Sequence, residues 1–323
     1  MLLCYVAVQG GRLSRASLEV LTRARQAAAE RGVPFGAVVL APNAAAHADE
    51  VARYGAQTVY AVSHPVFASP VNTPVVEALA AVIGQAQPGL VLFPSSEGVK
   101  DVLGALAARL GAPPIPDATR FTWTDGVVEA VRPVMAAKFL ARVRAEGSPV
   151  LVSVRGGVVV PEEAPAKARV EVVPFEFDTA SLRQTLREVV TSTAGAVDLS
   201  EASVVVAAGR GVRDEEARRL VEELAAVTGG AIGASRAVVE SGMFPATAQI
   251  GQTGKVVAPD VYFAVGLSGA IQHYAGMSGS RVIVAINKDP DAPIMKVATY
   301  ALAGDLYRIL PPLIEELRRV RGQ

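Results

Sequence analysis

The sequence predicts an α/β protein of two doubly wound domains, each with a mostly parallel sheet. Short apolar runs alternate with longer segments of helical periodicity in both halves, which is typical of βαβ units. A strand-rich stretch beginning near Ala118 and a small, polar segment at residues 191–200 interrupt this alternation. A chain of 323 residues with 51% hydrophobic residues is long enough for two cores. We therefore predict domains at 1–195 and 196–323.

In the first domain, apolar runs predict strands, and segments with apolar residues every three or four positions predict helices. The predicted strands are 2–8, 35–40, 57–62 and 89–93, and the predicted helices are 17–31, 44–54, 73–85 and 100–110. Four shorter runs follow at 119–123, 127–132, 139–143 and 150–154. The turn Asp125-Gly126 joins the first two of them, which predicts a hairpin and edge strands that complete the same sheet.

The second domain restarts the alternation after the small, polar segment. Its predicted strands are 203–207, 231–233, 261–265 and 282–286, and its predicted helices are 214–228, 270–277 and 305–319. Because strands and helices again follow one another singly, we expect a separate doubly wound unit.

The charge and cysteine content exclude several classes of function. Lysine plus arginine and aspartate plus glutamate both number 31, so no net field favours nucleic acid or an anionic membrane. The one cysteine, Cys4, lies in an apolar run, which excludes an internal disulfide and a thiolate metal site. No apolar run approaches 18 residues and no signal peptide is recognisable, so we expect a soluble, cytoplasmic protein that is not membrane-embedded.

The strongest functional signal lies between residues 261 and 287. An apolar strand there runs into Gly266-Leu267-Ser268-Gly269 and a helix that carries His273, and the next strand ends at Asn287. Glycines at a strand end allow close approach of a ligand, and helix N-terminal N–H groups favour an anion, so the stretch predicts a nucleotide-binding crevice. His273 is either an ordinary hydrogen-bonded helix residue or a group that reaches the ligand. No second histidine or carboxylate pair accompanies it, so a cofactor is expected to carry any chemistry.

Two glycine motifs are weaker signals. The strand before Gly209-Arg210-Gly211 suggests a dinucleotide fingerprint, but Asp214 occupies the place of the third glycine. The motif is consistent with a tight turn or with a phosphate cradle in which Arg210 clamps the anion. Residues 251–255, GQTGK, fail as a P-loop because the first glycine and the magnesium-binding hydroxyl are both missing. They leave a polar loop with one free hydroxyl, that of Thr253.

Five segments of the second half, read in order, form a specific pattern. They are GRGVR, GASRAVVESG, QIGQTGKVVAPDVYFAVGLSGAIQHYAGM, VIVAINKDPDAPI and GDLYRILPPL. Together they resemble the α subunits of electron transfer flavoproteins over essentially all of residues 203–320, whereas residues 1–190 match in architecture and a few segments. The resemblance implies that the second domain is a Rossmann-like or flavodoxin-like domain that binds FAD. It also implies that the first is a nucleotide-hydrolase-like domain that contacts a β subunit and holds no nucleotide itself.

The resemblance further implies a heterodimer whose β subunit holds AMP. Such a carrier has no small-molecule substrate of its own and is not an enzyme. It takes electrons singly from flavin dehydrogenases, typically the acyl-CoA dehydrogenases of fatty acid oxidation, and passes them to a membrane-bound quinone oxidoreductase.

The resemblance also assigns FAD contacts residue by residue. They are Arg210, Ser235, Arg236, Ile250, Gly251, Gln252, Thr253, Ser268, Gly269, Ala270, Ile271, Gln272, His273, Asn287, Asp305 and Leu306. Three of these would tune the flavin: His273 by donating to the N1–C2=O edge, Thr253 by bonding N5, and Arg236 by placing positive charge over the ring. The helix start would hold the pyrophosphate, and Asn287 and Asp305 the ribose and adenosine. Thr299 replaces an acidic residue common in the family.

Two other functions remain open, and one of them uses the same crevice. A pyridine-nucleotide oxidoreductase would use it, although the incomplete glycine fingerprint and the lack of an evident acid or base for hydride chemistry argue against that function. A nucleotide-sensing regulatory protein would instead bind ATP or AMP in the first domain.

Overall fold

In the computed structural model the chain forms two compact units, Met1–Val189 and Val190–Gln323. The structure describes residues 1–135, 137–182 and 198–322. Both units are α/β with mainly parallel sheets, which confirms the predicted fold class. The predicted domain boundary at residue 195 lies outside the described residues.

The first unit contains the strands and helices of the predicted βαβ alternation together with several short elements. Its strands are β1 (Leu2–Val6), β2 (Val8–Gln9), β3 (Arg12–Leu13), β4 (Phe35–Ala41), β5 (Thr58–Ser63), β6 (Leu90–Pro94), β7 (Pro114–Ala118), β8 (Arg120–Thr124), β9 (Val127–Val134), β10 (Phe139–Glu146), β11 (Val150–Val154) and β12 (Arg169–Val172). Its helices are α1 (Arg15–Arg31), α2 (Ala48–Ala52), α3 (Asn72–Ala86) and α4 (Glu97–Leu110), with 3₁₀ turns at Ala44–His47, Pro65–Ala68 and Thr179–Ser181.

A parallel sheet in the order β12-β5-β4-β1-β6-β11-β7 forms the centre of this unit. Helices α1 and α2 pack on one face, where Leu21, Val51 and Cys4 of β1 belong to one apolar cluster. Helices α3 and α4 pack on the other, where Leu79 and Leu103 meet the opposite side of the sheet. Because both faces are covered, its inner strands read as apolar runs, whereas the edge strands β7 and β12 contain exposed residues and were not predicted.

The expectation for the strand-rich stretch is partly wrong. Strands β8 and β9 do form a hairpin at Asp125-Gly126, where both residues have positive φ. However, β8, β9 and β10 form a separate antiparallel sheet, whereas β11 lies inside the main sheet between β6 and β7. Burial explains the difference. All five residues of β11 are buried, as in a strand covered on both faces, whereas exposed residues recur along β10, which offers only one face to a core.

The second unit is a smaller doubly wound domain. Its strands are β13 (Val204–Ala208), β14 (Ala231–Ala234), β15 (Val261–Val265), β16 (Val282–Asn287) and β17 (Tyr300–Ala303). Its helices are α5 (Glu215–Thr228), α6 (Arg236–Glu240), α7 (Ile271–Tyr274), α8 (Pro293–Val297) and α9 (Leu306–Arg321), with a 3₁₀ turn at Ala246–Ala248. The parallel strands lie in the order β14-β13-β15-β16-β17, the order of flavodoxin-like folds.

This strand order places a topological switch point between β13 and β15, where ligands bind in open α/β sheets. Helices α5 and α9 cover one face of the sheet through Leu224 and Leu310. Tyr262, Ile250 and Met277 belong to the apolar cluster on the other face. The carboxyl ends of all five strands lie at one edge, because the described strands of this sheet are all parallel.

Two details of this unit depart from the sequence expectation. The helix predicted at 270–277 ends at Tyr274, and turns follow because buried Gly276 packs against the backbone of Gly251. Strand β17 was not predicted. Thr299, directly before β17, is bonded twice to Ile283 of the neighbouring strand β16. Its N–H donates to Ile283 O at 2.8 Å, and its hydroxyl accepts from Ile283 N at 3.1 Å. Thr299 therefore anchors the segment that leads to Asp305.

No helix in the described parts of the chain combines the length and apolarity that a membrane crossing requires.

Candidate nucleotide-binding site

A pocket of about 860 Å³ opens at the carboxyl ends of the strands of the second unit. Its volume is in the range of small-molecule and cofactor sites. The predicted contact residues that line it are Arg210, Ser235, Arg236, Ile250, Gly251, Gln252, Thr253, Ser268, Gly269, Ala270, Gln272, His273, Asn287 and Leu306. Two predicted contacts, Ile271 and Asp305, are not among the lining residues. Residues distant in sequence thus meet at the one edge where parallel strands end.

The Gly209-Arg210-Gly211 motif forms a tight turn that packs against the end of β15. Gly209 N donates to Val265 O at 2.8 Å, and Gly211 N donates to Gly266 O at 3.0 Å. A Cβ on Gly211 would lie 2.8 Å from the Cα of Gly266. These glycines allow two turns to lie in contact at the switch point. Arg210 is exposed at the pocket and makes no hydrogen bond or ion pair with the described part of the chain.

The loop between β15 and α7 packs closely on the start of α8. Ile294 N donates to Ser268 O at 3.1 Å. Gly269 has a φ of +80°, and a Cβ on it would overlap the Ile294 backbone. The cap residue of α7, Ala270, has no side chain that bonds the first N–H groups of the helix. The start of α7 is therefore uncapped by a side chain where it borders the pocket.

Ser235 is a cap residue whose hydroxyl is unused. It precedes α6 with extended φ and ψ, but its side chain makes no cap hydrogen bond. Its Oγ is buried and has no hydrogen-bond partner among the residues that the structure describes. A serine at this position ordinarily bonds the second or third N–H of the helix. Ser235 lines the pocket, and its hydroxyl is free of hydrogen bonds to the described residues.

The polar loop at 249–255 presents Thr253 to the pocket. Gln249 Nε2 donates to Thr253 Oγ1 at 3.1 Å, so the threonine hydroxyl accepts there and keeps its own hydrogen to donate. The loop is held against α7 because Gln252 N donates to Gln272 O at 2.7 Å. Gly251 allows this approach, since a Cβ there would lie 2.9 Å from the same carbonyl oxygen.

His273 is buried, and it has one bonded and one unbonded ring nitrogen. Its side chain belongs to a residue only 6% exposed, and Nε2 lies 2.7 Å from the hydroxyl oxygen of Tyr262. Nδ1 is buried without a hydrogen-bond partner in the described ranges. Burial lowers the pKa of His273 to about 4. The Ile250 backbone raises it by a smaller amount, through a contact that falls short of full hydrogen-bond geometry. The imidazole is therefore neutral near pH 7, and the residue borders the pocket.

Three further predicted contacts are held by neighbouring side chains or backbone. Arg236 Nε donates to Glu240 Oε1 at 2.7 Å across one turn of α6, and both side chains are largely exposed. Asn287 Nδ2 donates to Leu267 O at 2.6 Å and joins the ends of β15 and β16.

Asp305 caps α9 by accepting from Tyr307 N, and its other oxygen lies 3.0 Å from Lys288 Nζ. The bond to Lys288 is the largest of the effects that lower the pKa of this carboxyl. Because its carboxylate already serves a cap and an ion pair, Asp305 has less free bonding capacity than its predicted role assumed.

Several lining residues were missed in the sequence. Those with charged or aromatic side chains flank the recognised motifs and are Arg213, Asp214, Glu240, Lys288, Asp289 and Tyr307. Their signal was position alone, since Lys288 directly follows Asn287 at a strand end and Tyr307 lies two residues after Asp305. Arg213, like Arg210, is exposed without a bond or ion pair in the described chain.

The pocket suits a large anionic ligand that forms hydrogen bonds. Arg210 and Arg213 supply unpaired positive charge, and Ser235 Oγ and His273 Nδ1 are buried polar atoms whose partners are missing. Unpaired buried polar atoms cost free energy, so a ligand that completes them gains affinity. In the described parts of the chain, no three His, Cys, Asp or Glu side chains are grouped so as to hold a metal ion.

Comparison with known proteins gives a consistent result over both units. A model of the electron transfer flavoprotein domain matches residues 3–179, and a model of the electron transfer flavoprotein FAD-binding domain matches residues 198–278. The chain is 37% identical over 313 residues to the electron transfer flavoprotein subunit alpha of Bacillus subtilis (strain 168), covering 97% of this chain and 96% of that protein. It is 38% identical over 318 residues to the corresponding subunit of Mycobacterium leprae, with the same coverage. It is 36% identical over 314 residues to protein FixB of Clostridium saccharobutylicum, covering 96% and 94% of the two chains.

Proposed function

The chain belongs to the family of electron transfer flavoprotein α subunits, and we propose on that basis that its second unit binds FAD and carries electrons one at a time. Bound FAD would supply the redox chemistry. The chain itself would bind the cofactor, exclude water and adjust the charge around it.

The observation that carries this proposal is that two residues lining the pocket, Ser235 and His273, each have a buried polar atom without a hydrogen-bond partner among the described residues. They border a crevice at the switch point of a flavodoxin-like sheet, where that fold class holds flavin nucleotides. An extended dinucleotide offers hydrogen-bonding groups to both atoms and two phosphates to the neighbouring arginines. The residues present therefore fit FAD.

The residues that would hold the cofactor divide by chemistry. Arg210 and the uncapped start of α7 supply the charge and N–H groups that favour the pyrophosphate. Thr253 and His273 supply hydrogen-bond donors for the flavin ring, and Arg236 supplies positive charge beside it. Asn287 and Leu306 would border the adenosine end. Asp305 would act at the adenosine end by holding Lys288 in an ion pair rather than by contacting the cofactor itself.

The same pocket supports a carrier without a small-molecule substrate. Its buried histidine is held neutral, and the carboxylate of Asp214 serves as a helix cap. From the family of the chain we infer that it is a carrier rather than an enzyme by itself, and that flavin dehydrogenases, including acyl-CoA dehydrogenases, donate electrons to it.

The remaining partners follow from the family. We propose a cytoplasmic heterodimer in which the first unit contacts a β subunit and binds no nucleotide, while the β subunit holds AMP. A membrane-bound quinone oxidoreductase would accept the electrons. The described residues of the first unit carry an exposed apolar group, Met135, Phe139 and Leu140, around the hairpin of β9 and β10, which suits such an interface.

Purification of the full chain with its β subunit tests the proposal. The complex is expected to be yellow, to bind one FAD and to accept electrons from an acyl-CoA dehydrogenase in two one-electron steps, followed by absorbance. A complex that stays colourless after FAD is added would overturn it. Saturable NADH binding in the absence of FAD would instead support a pyridine-nucleotide oxidoreductase.

A further inference from the structure

The buried contact between Tyr262 and His273 connects the centre of the sheet to the pocket. Tyr262 lies in β15 and is fully buried, and its hydroxyl oxygen is 2.7 Å from His273 Nε2. The other ring nitrogen, Nδ1, is the buried atom without a partner, and its residue lines the pocket. The tyrosine therefore bonds the histidine from the side away from that unpaired nitrogen.

Either Tyr262 or His273 could donate the hydrogen of this bond. If Nε2–H donates to the tyrosine oxygen, the buried Tyr262 hydrogen has no acceptor in the described part of the chain and Nδ1 becomes a bare acceptor. If the Tyr262 O–H donates to Nε2, the hydroxyl is satisfied, and the neutral ring carries its hydrogen on Nδ1. The second arrangement leaves one buried group unpaired rather than two, and it is favoured because an unpaired buried polar group costs free energy.

We propose that Tyr262 is a positioning residue whose hydroxyl donates to His273 Nε2 and so fixes the Nδ1–H tautomer of this pocket-lining histidine. The assignment of the hydrogen is a property of this chain alone. Only the identity of the group that accepts from Nδ1, the electron-rich edge of a flavin, rests on the proposed function.

The environment of both residues supports this assignment. Burial raises the pKa of Tyr262 well above its ordinary value and lowers that of His273 to about 4, so both are neutral near pH 7. The donor therefore stabilises negative charge through a directed hydrogen bond rather than through a positive charge of its own. A fixed donor needs no reorientation when charge develops beside it.

Nitrogen NMR of the complex with the β subunit tests the assignment without any redox activity. In the complex labelled with ¹⁵N-histidine, the signals of His273 are identified by their loss in His273→Asn. We expect the Nδ1–H tautomer before and after FAD is added. In Tyr262→Phe, which keeps the ring, the tautomer ratio is expected to move toward Nε2–H, whereas Tyr274→Phe, on a half-buried tyrosine of α7 outside the pocket lining, leaves it unchanged. A wild-type Nε2–H tautomer, or an unchanged ratio in Tyr262→Phe, overturns the proposal.

Potentiometry then tests whether the donor acts on the flavin. Tyr262→Phe is expected to lower the equilibrium constant of the first one-electron reduction about tenfold, which is about 59 mV for one electron. In a His273→Asn background the same change should have no further effect, because the tyrosine acts through the histidine. Equal effects in both backgrounds would contradict the proposal. A complex that binds no FAD would fail the proposed function, while the NMR measurement would still decide the tautomer.

Discussion

The hydroxyl of Tyr307 donates a 2.6 Å hydrogen bond to Oδ2 of Asp214. The other oxygen of the same carboxylate accepts from Ala217 N at 2.9 Å and so caps α5. Because Tyr307 lies in the first turn of α9, one carboxylate joins the starts of two helices that cover the same face of the second sheet. The tyrosine bond is the main cause of a lowered pKa at Asp214, and the carboxylate raises the pKa of Tyr307 to about 12.

Removing this bond with Tyr307→Phe is expected to destabilise the second unit in a pH-dependent manner. The folded-state pKa of Asp214 is depressed below its usual 3.8. Its contribution is therefore present above that value and lost as pH falls through the folded pKa. The stability deficit of the ligand-free variant, measured by urea unfolding with circular dichroism, should be largest near neutral pH and shrink in acid. Tyr300→Phe, on an exposed tyrosine of β17, is the control. A deficit that is constant with pH would refute this account.

Ser235→Ala is expected to weaken FAD binding without weakening the ligand-free fold. The Ser235 hydroxyl has no partner to lose within the described residues, whereas a ligand bond to it would be worth about 0.5–1.5 kcal/mol, or roughly twofold to tenfold in affinity. Ser241→Ala is the matched control at the other end of α6. There the hydroxyl donates to Val238 O at 2.8 Å, so the fold should lose about 1 kcal/mol and the affinity should remain. Flavin fluorescence titration and thermal unfolding separate the two results, and unchanged affinity in Ser235→Ala would exclude its ligand role.

The inner strands of the parallel sheets could be predicted from the sequence because they are buried on both faces and read as apolar runs. The edge strands β7 and β12 were not predicted, since exposed and half-buried residues interrupt them. Strand β17 could not be predicted either, since all four of its residues are exposed and carry no such pattern. The partners of a strand are also a long-range property. A local pattern therefore identified the strands β8 to β11 but not the sheet to which each belongs.

The position of the site followed from one rule, that parallel strands end at the same edge, and from the resemblance of its motifs to a known family. The Tyr262–His273 contact could not be found in that way. The two residues are 11 positions apart, and their approach depends on the fold of the glycine loop between them. Burial of the histidine is equally a result of packing, so its lowered pKa could not be predicted from the sequence.

Comparison of Gly269 with Gly242, which has nearly the same φ, distinguishes the cost of a strained backbone from the cost of overpacking. Gly269 and Gly242 have φ values of +80° and +78°, but a Cβ at Gly242 meets nothing within 4 Å, whereas one at Gly269 would overlap the Ile294 backbone. Gly242→Ala should cost about 1–2 kcal/mol from the left-handed conformation alone. Gly269→Ala should cost at least about 1 kcal/mol more, because overpacking adds to it. Hydrogen exchange of peptides from β13 and β15 measures both, and equal costs would rule out the packing contribution.

The last prediction concerns the acid sensitivity that His273 confers on the second unit. Burial lowers its pKa from 6.5 to about 4 in the folded chain. Between these values the unfolded chain binds a proton that the folded chain does not, so stability falls as pH decreases from 6.5 to 4 and the loss is complete below 4. The difference corresponds to about 3 kcal/mol.

A His273→Gln variant serves as the reference, because glutamine is polar but does not titrate in this range. Urea unfolding of both ligand-free chains, followed by circular dichroism at several pH values, gives their free energies of unfolding. The wild-type chain should lose about 3 kcal/mol relative to the variant between pH 6.5 and 4 and nothing between pH 7 and 8. Charges elsewhere affect both chains alike and cancel in this comparison. If the free energies of unfolding of the two chains changed with pH in parallel, His273 would take up a proton equally well in the folded and the unfolded chain. That result would contradict a neutral His273 in the folded chain.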